Sequence, residues 1–166
     1  MAANNDSPPL ISAVRDKNIV ECRRLIDTGE ANVIDDRDHD GWTALHWATN
    51  RGNLEISELL VSLGADVNIR TTSYGNTVLH RASMYGHLKI VQLLLCQGAD
   101  MSIRDIFGST ALDWASSCGR LEAADCLRKW PWTMAIIALK EDLAVYHLLD
   151  ASTLIDLWQY YYLGNQ

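Results

Sequence analysis

The chain lacks three features that would assign it to other classes of protein. No stretch of its 166 residues approaches the ~20 consecutive apolar residues with which a helix crosses a bilayer. Residues 1–9 hold neither a basic start nor an apolar segment, so no secretory signal is visible. Lysine and arginine total 14 against 21 aspartate and glutamate, a net charge of −7 that disfavours nucleic acid. We therefore expect a cytoplasmic protein, with a nuclear location as the alternative, that engages neither nucleic acid nor a membrane.

Patterns that carry catalysis are also missing. The sequence contains no glycine-rich phosphate loop, no nucleophile elbow and no cluster of metal ligands. Its four cysteines include no C-x-x-C pair, and none stands at zinc-finger spacing from a histidine. We predict a protein that is not an enzyme, with no catalytic residue, no metal and no cofactor.

What the chain does contain is one phrase written three times. Gly41–Ala48 (GWTALHWA) recurs as Gly75–Ala82 (GNTVLHRA) and as Gly108–Ala115 (GSTALDWA), and a degenerate copy, PPLISA, occupies residues 8–13. The equivalent leucines lie 35, 34 and 33 residues apart, at Leu10, Leu45, Leu79 and Leu112. A second phrase, GADVN at 64–68 and GADMS at 98–102, keeps the same step. Such a period indicates stacked copies of one supersecondary unit.

These phrases closely resemble the ankyrin repeat, a turn followed by two antiparallel helices, over about residues 7–128. The resemblance implies an all-α ankyrin-repeat solenoid of about four helix-turn-helix repeats with β-turn fingers, and a binding scaffold in place of a catalyst. We expect a flexible N-terminus at 1–6, repeat 1 at 7–39 as an N-terminal cap, repeat 2 at 40–72, repeat 3 at 73–105 and repeat 4 at 106–129. An aromatic-rich helical C-terminal segment is expected at 130–166.

The scaffold positions follow from the physics of helix ends and helix faces. Thr43, Thr77 and Thr110 stand where a hydroxyl caps the first helix of a repeat, and glycines at 52, 86 and 119 stand where a left-handed residue ends it. The second helices keep one apolar register through Leu25, Leu60, Leu94 and Leu127. We expect Cys22, Cys96 and Cys126 to be buried reduced thiols in those helices and Cys118 to be accessible.

Two histidines lie one turn into their first helices and have two interpretations. His46 and His80 could be catalytic, but no nucleophile or orienting carboxylate recurs with them at the repeat spacing. In the ankyrin family this position joins the turn of one repeat to its own cap and to its neighbour, and we favour that structural role. Asp113 takes the position in repeat 4, so the last contact between repeats must differ.

A repeat scaffold leaves the turn tips and the concave-facing residues of the first helices free to vary. These positions are rich in large rings and arginine, the residue types enriched at binding hot spots. The predicted partner-binding residues are Asp40, Trp42, Trp47, Arg51, Tyr74, Arg81, Met84, Tyr85, Phe107 and Trp114. The alternative for Trp47 and Trp114 is packing between adjacent helices or under the C-terminal segment.

Acidic residues cluster near the first finger at Asp35, Asp36, Asp38 and Asp40. They form either a solvated loop or an acidic rim that steers a basic peptide or protein towards the aromatic residues. We therefore expect a protein or peptide partner, with a basic one as the specific hypothesis, bound by a monomer.

The C-terminal segment 130–166 departs from the repeat pattern. It holds three tryptophans and four tyrosines but only five charged residues, a composition that argues against disorder. Its helices could cap the last repeat, fold back towards the concave face or expose a docking surface at Trp158, Tyr161 and Tyr162. The alternative function is therefore an adaptor whose C-terminal helices recruit a second protein such as ubiquitin-ligase machinery, although neither a leucine-cysteine box nor an F-box opening is present.

Overall fold

The computed structural model of the protein describes residues 7–28 and 34–130. The chain divides into two units, Met1–Arg128 and Lys129–Gln166, and the account below concerns the first. The N-terminus predicted to be flexible, residues 1–6, lies outside the described residues. The same holds for 131–166, and so for the predicted C-terminal cap and for Trp158, Tyr161 and Tyr162.

Helices account for the regular structure of unit 1, and no strand occurs within 7–28 and 34–130. The helices are α1 (Pro9–Arg15), α2 (Ile19–Asp27), α3 (Ala44–Asn50), α4 (Leu54–Ser62), α5 (Val78–Tyr85), α6 (Leu88–Cys96), α7 (Ala111–Ser117) and α8, helical over 121–130 at the end of the described range. α1 packs on α2, α3 on α4 and α5 on α6, which makes helix pairs. The predicted all-α repeat fold is confirmed.

Short turns, here called fingers, precede three of the first helices. Each is closed by a backbone hydrogen bond: Asp38 N–H to the Trp42 carbonyl at 2.9 Å, Thr71 to Asn76 at 2.9 Å and Asp105 to Ser109 at 3.0 Å. Finger 2 is therefore 38–42, finger 3 is 71–76 and finger 4 is 105–109. Neighbouring fingers are joined by the Thr72 N–H to the Asp40 carbonyl at 3.1 Å and the Ile106 N–H to the Tyr74 carbonyl at 3.0 Å.

The helix boundaries follow the predicted caps. Thr43 Oγ1 accepts a hydrogen bond from the His46 N–H at 3.4 Å, and Thr110 Oγ1 accepts one from the Asp113 N–H at 3.3 Å. Gly86 ends α5 in the left-handed conformation, with φ of 74°. At the start of α3 and of α7, the threonine hydroxyl thus binds a backbone N–H that has no partner within the helix. At the end of α5, glycine adopts the left-handed conformation without the steric strain that a Cβ would cause.

The core is a double row of apolar faces. α3 packs against α1 and α5, and α5 packs against α7, so the first helices form one continuous row, while α4 and α6 form a second. Ala48, Ala82 and Ala115 are fully buried where first helices approach their neighbours. The predicted register of the second helices is confirmed, since four leucines are buried: Leu25, Leu60, Leu94 and Leu127.

His46 and His80 hold adjacent repeats together, as predicted. The Thr43 N–H donates to His46 Nδ1 at 3.3 Å, so the proton of the neutral ring lies on Nε2, 3.4 Å from the Asn76 carbonyl of the next finger. His80 repeats this arrangement with its Nε2 3.1 Å from the Ser109 carbonyl. Burial lowers the pKa of His46 to about 4, which keeps the ring neutral at physiological pH.

Asp113 occupies the histidine position of repeat 4 and makes only the local half of this contact. Its carboxylate accepts hydrogen bonds from the Thr110 N–H and the Thr110 hydroxyl, both at 2.8 Å. These hydrogen bonds lower the pKa of Asp113. The side chain is exposed and too short to copy the reach of the imidazole, in agreement with the predicted difference at this repeat.

The prediction for Cys96 was wrong. Cys22 and Cys126 are buried, and burial raises the pKa of each thiol to about 11. Cys118 is exposed, as expected, but Cys96 is exposed too. The reason is register: Cys96 lies two positions beyond the buried Leu94, about 200° around the helix, on the side away from the core.

Candidate protein-binding surface

A stack of two indoles and two guanidinium groups runs across three repeats. The Trp42 and Trp47 ring centroids are 4.8 Å apart. The guanidinium carbon of Arg15, at the end of α1, lies 4.9 Å from the Trp47 ring, and that of Arg81, on α5, lies 4.5 Å from the Trp42 ring. We call these four residues the Trp–Arg stack. Each cation–π pair contributes about 0.5–1 kcal/mol when solvent-exposed, so the stack holds its side chains in defined positions.

Aspartates of fingers 2 and 4 fix the indole rings of Trp47 on α3 and Trp114 on α7. The Trp47 Nε1–H donates to Asp38 Oδ2 at 2.8 Å, while Asp38 Oδ1 accepts from the backbone amides of residues 40 and 42. The same arrangement recurs in repeat 4, where the Trp114 Nε1–H donates to Asp105 Oδ2 at 2.7 Å. Both rings are half-buried. Trp47 and Trp114 therefore each join a first helix to the finger of the same repeat, which is a structural role.

Asp105 shows the electrostatic effect of this arrangement. Burial alone would raise the pKa of its carboxyl, but hydrogen bonds from the Trp114 indole and the backbone amides of Ser109 and Phe107 hold the pKa below its ordinary value. The side chain thus stays ionised and anchors finger 4 to α7. Finger 3 has Thr71 in this position, and its hydroxyl accepts only from the Asn76 N–H at 3.1 Å.

Arg81 takes the place that tryptophan has in repeats 2 and 4. The side chain is half-buried, and this burial lowers its pKa, which the phenols of Tyr85 and Tyr74 partly oppose. Its Nε–H is buried without a hydrogen-bond acceptor, and no carboxylate of the described residues lies within salt-bridge distance of its guanidinium. The charge of Arg81 is balanced chiefly by aromatic rings, with its ionised form retained.

The finger tips carry a second exposed group of apolar side chains. The rings of Tyr74 and Phe107 stack across adjacent fingers, with centroids 6.2 Å apart and an interplanar angle of 27°. Tyr74 is 49% exposed, Phe107 66% and the neighbouring Ile106 61%. These three residues are called the finger-tip patch. Ile106 belongs to this patch but was not in the predicted set.

The remaining predicted residues border these two groups. Tyr85 interacts with Arg81 and stacks on His87 with centroids 5.9 Å apart. Met84 is half-buried, and its carbonyl accepts a hydrogen bond from Arg120 at 3.1 Å. Arg51 and Asp40 are exposed, and Asp40 lies 3.1 Å from the His39 imidazole.

The predicted acidic rim is smaller than the sequence suggested. Asp38 uses both carboxylate oxygens within finger 2, and Asp35 accepts hydrogen bonds from the Asp66 N–H at 3.1 and 3.3 Å. Burial raises the pKa of Asp35. Only Asp36 and Asp40 of the four are exposed.

Sequence reasoning missed three sets of residues that shape this surface. Arg15 was not considered because the finger of repeat 1 is degenerate, yet it ends the Trp–Arg stack. The aspartate nine residues before a tryptophan, present in repeats 2 and 4, would have indicated the indole anchors.

The third missed set is a row of arginines at the base of the fingers. Arg37 donates to the Arg70 carbonyl at 3.3 Å, Arg70 to the Arg104 carbonyl at 2.8 Å, and Arg104 to the Gly108 carbonyl at 2.7 Å. Their steps of 33 and 34 residues carried this signal in the sequence. These hydrogen bonds to carbonyls stabilise the fingers, while the three side chains remain exposed.

The described residues hold neither a candidate metal-ligand cluster nor a candidate membrane-spanning helix. Within 7–28 and 34–130, no group of three or more histidine, cysteine, aspartate or glutamate side chains could hold a metal ion. Across the same ranges, no helix has the length and apolarity that crossing a bilayer demands.

Helix pairs stacked at steps of 33 to 35 residues and joined by fingers define a helical repeat protein whose variable residues lie on one row of helices and on the finger tips. Ankyrin-repeat family profiles match residues 2–71, 58–95 and 79–128. The chain belongs to the ankyrin repeat family. Ankyrin repeats generally act as protein–protein interaction modules, and the family is typically non-enzymatic.

The similar curated proteins are much larger than this chain. Palmitoyltransferase AKR1 of Yarrowia lipolytica is 40% identical over 62 residues, which cover 37% of this chain and 9% of that protein. The 2-5A-dependent ribonuclease of Mus musculus is 39% identical over 66 residues, covering 39% and 9%. Palmitoyltransferase AKR1 of Candida glabrata is 34% identical over 67 residues, covering 38% and 9%. Since the match spans 9% of each relative, the likeness concerns a short part of those proteins.

Proposed function

We propose that this protein is a non-enzymatic interaction scaffold that binds a protein or peptide partner through its fingers and the concave helical face formed by its first helices. The observation that carries the proposal is the Trp–Arg stack. It places two indoles and two guanidinium groups side by side over three repeats. Tryptophan and arginine are the residues most enriched at energetic centres of interfaces, and here they are held in place before a partner arrives.

The finger-tip patch supports the same proposal. Phe107 and Ile106 are each more than half exposed, and Tyr74 is nearly so. The fingers themselves need only turn-forming residues, so the turns do not require such large exposed side chains. Contiguous exposed apolar area favours aggregation unless a partner covers it. We infer that the patch extends the contact surface from the first helices to the fingers.

The sign of the partner's charge is less directly supported. A basic partner was predicted from four aspartates near finger 2, and two of them, Asp35 and Asp38, are engaged in hydrogen bonds within the fold. The exposed carboxylates of Asp36 and Asp40 therefore support a basic segment of the partner at finger 2 only, and not at the Trp–Arg stack. A monomeric state, a cytoplasmic location and the repeat limits 7–39, 40–72, 73–105 and 106–129 belong to the proposal as well.

The alternative adaptor function depends on the composition of 130–166 alone. Three tryptophans and four tyrosines with five charged residues favour a second contact element there. Trp158→Ala in the full chain would then remove one captured partner while sparing the others. Loss of all partners together with a lower melting temperature would instead indicate a cap.

The proposed function is tested by affinity capture from the native cell with the full chain as bait. Tyr85→Ala and the double variant Tyr74→Ser/Phe107→Ser remove exposed rings, so we expect capture of the main partner to fall by about tenfold or more. The double variant should change the melting temperature little, whereas Tyr85→Ala should lower it modestly, because Tyr85 hydrogen-bonds to Arg81 and stacks on His87. Val20→Ser is the matched control, because Val20 is 74% exposed on α2, in the other helix row. Capture that is unchanged in both ring variants would reject the proposal.

A further inference from the structure

The first helices differ in charge from the second helices. In α1, α3 and α5 the charged residues, histidine apart, are Arg15 and Arg81, and these helices contain no aspartate or glutamate. The second helices carry both signs, with Glu21, Asp27, Glu55 and Glu58 against Arg23, Arg24 and Lys89, a balance of −1 over α2, α4 and α6. Although the chain has a net charge of −7, its first-helix row over repeats 1 to 3 is locally basic.

Local charge decides what a bound peptide experiences. At physiological ionic strength the screening length is about 8 Å, so carboxylates on the opposite side of a repeat act weakly at the Trp–Arg stack. Asp38 lies beside the stack, where its carboxylate accepts from the Trp47 indole and from backbone amides. Because these donors are neutral, the bonds do not cancel its charge, which offsets one of the two arginine charges. Asp113 is the acidic residue of the row, and it lies on α7, beyond the stack.

Arg81 has the features of a guanidinium ready for an anion. A guanidinium stacked over an indole keeps its N–H donors in its own plane, where a carboxylate oxygen can approach. The Arg81 guanidinium carbon lies 4.5 Å from the Trp42 ring centroid, and its side chain hydrogen-bonds to Tyr85. It has no carboxylate partner among the described residues. Arg15 stacks on Trp47 at the other end and likewise has no carboxylate partner there.

We propose that the Trp–Arg stack binds an acidic peptide segment of the partner, in which a glutamate or aspartate carboxylate pairs with Arg81 and a neighbouring apolar side chain packs on Trp42. This inference rests on the proposed interaction function and specifies its ligand. Charge complementarity selects the carboxylate, since the stack offers two arginines without carboxylate partners among the described residues, against the single carboxylate of Asp38 that bonds to Trp47. The indoles supply the apolar contact, which excludes water and strengthens the ion pair.

The experiment measures binding of the full chain to an array of short random-sequence peptides at physiological salt. For the strongest ligands, one acidic position is then replaced by glutamine and by lysine. We expect the glutamate form to bind about tenfold more tightly than the glutamine form, because a charged hydrogen-bonded pair is lost. A fluorescent single-stranded oligonucleotide is measured in parallel as an alternative anionic ligand.

Matched variants assign the preference to the stack. Arg81→Met keeps an unbranched apolar stem but removes the charge, so the preference for glutamate should fall to about twofold or less. Arg23→Met is the control, since Arg23 is exposed on α2 in the second-helix row. Thermal melts establish that both variants are folded, and Arg15→Met provides a second test at the other end of the stack if Arg81→Met is unstable.

Each remaining outcome decides against the inference. Preference for lysine-rich peptides, tighter binding of the oligonucleotide or a glutamate preference that survives Arg81→Met would overturn it. If peptides bind without charge preference and Tyr85→Ala abolishes that binding, the proposed function stands and the acidic ligand is wrong. If no peptide binds, the acidic ligand is also wrong, while capture from cells still decides the proposed function independently.

Discussion

Arg81 on α5 places its guanidinium carbon 4.5 Å from the ring centroid of Trp42, which belongs to the finger one repeat earlier. Both residues occupy positions that change from one copy of the repeated phrase to the next. Residues that vary between copies thus contact one another across the boundary between repeats. Variable surface residues of this protein therefore also form contacts between neighbouring repeats.

We predict a measurable coupling energy between these two residues. Trp42→Ala and Arg81→Met, singly and combined, should give a double-mutant-cycle coupling of about 1 kcal/mol in urea unfolding, because each single change already removes the cation–π contact. Arg23→Met combined with Trp42→Ala is the control pair, on α2 and finger 2, and should be additive. A coupling near zero for Trp42 and Arg81 would show that the stacked geometry contributes no stability.

A second prediction concerns pH and His46. Its pKa is lowered to about 4 in the folded protein against an ordinary value of 6.5, because burial disfavours the imidazolium ion. Between pH 4 and pH 6.5 the His46 imidazole is protonated in the unfolded chain but neutral in the folded protein. Its contribution to the unfolding free energy is therefore fully present above pH 6.5 and is lost as the pH falls towards 4. Taken alone this group removes up to about 3 kcal/mol of unfolding free energy.

Urea unfolding as a function of pH checks this prediction, and proton NMR of the His46 ring gives the site-specific value. Burial also lowers the pKa of His80 and of His87, so both add to the loss in the same direction. His46 titrating near 6.5 in the folded protein would contradict the buried, neutral ring that joins finger 3 to α3.

The scaffold residues could be predicted from the sequence because their roles depend on interactions within a single helix or turn. A threonine cap, a left-handed glycine and a leucine register act within one helix and recur with the period, so one copy predicts the others. The Trp–Arg stack obeys no such rule, since Arg15, Trp47, Trp42 and Arg81 lie on three repeats and meet only after stacking. The repeat framework nevertheless restricted the search to the positions where three of the four were found.

Cys96 is a case in which the prediction from the sequence was wrong. A cysteine in an apolar second helix was assigned to the core by its residue type, although its offset from Leu94 already placed it on the opposite side of α6. Side-chain direction within a helix, not composition, decides burial.

Thiol labelling tests the corrected assignment. In the native protein we expect Cys118 to react readily with Ellman's reagent, because it is exposed. Cys96 is exposed too and should also react, but more slowly, because partial burial raises the pKa of its thiol. Cys22 and Cys126 should react only on unfolding, since burial both shields their thiols and raises their pKa to about 11. Mass spectrometry of the labelled peptides identifies each site. Rapid labelling of Cys22 at low denaturant would mean that the core of repeat 1 opens locally.

The contact between Gly52 and His87 gives a final prediction about how repeats fit together. Gly52 follows α3 with φ of +67°, and a Cβ added there would lie 2.6 Å from His87 Cε1. The ring of His87 has little freedom to move away, because it stacks on Tyr85 and bonds to the backbone of Asn50. Gly52→Ala therefore combines left-handed backbone strain with a clash between repeats.

Gly98→Ala is the matched control, since Gly98 has φ of +80° and no atom within 4 Å of an added Cβ. Gly98→Ala should cost about 1–2 kcal/mol of unfolding free energy from the left-handed backbone alone. Gly52→Ala should cost clearly more, about 2–4 kcal/mol, when both are measured by urea unfolding. The double variant Gly52→Ala/His87→Ala separates the two contributions: removal of the ring should return the cost of the alanine to the Gly98→Ala value. If it does not, the strain at Gly52 lies in the backbone and the imidazole does not set the distance between repeats 2 and 3.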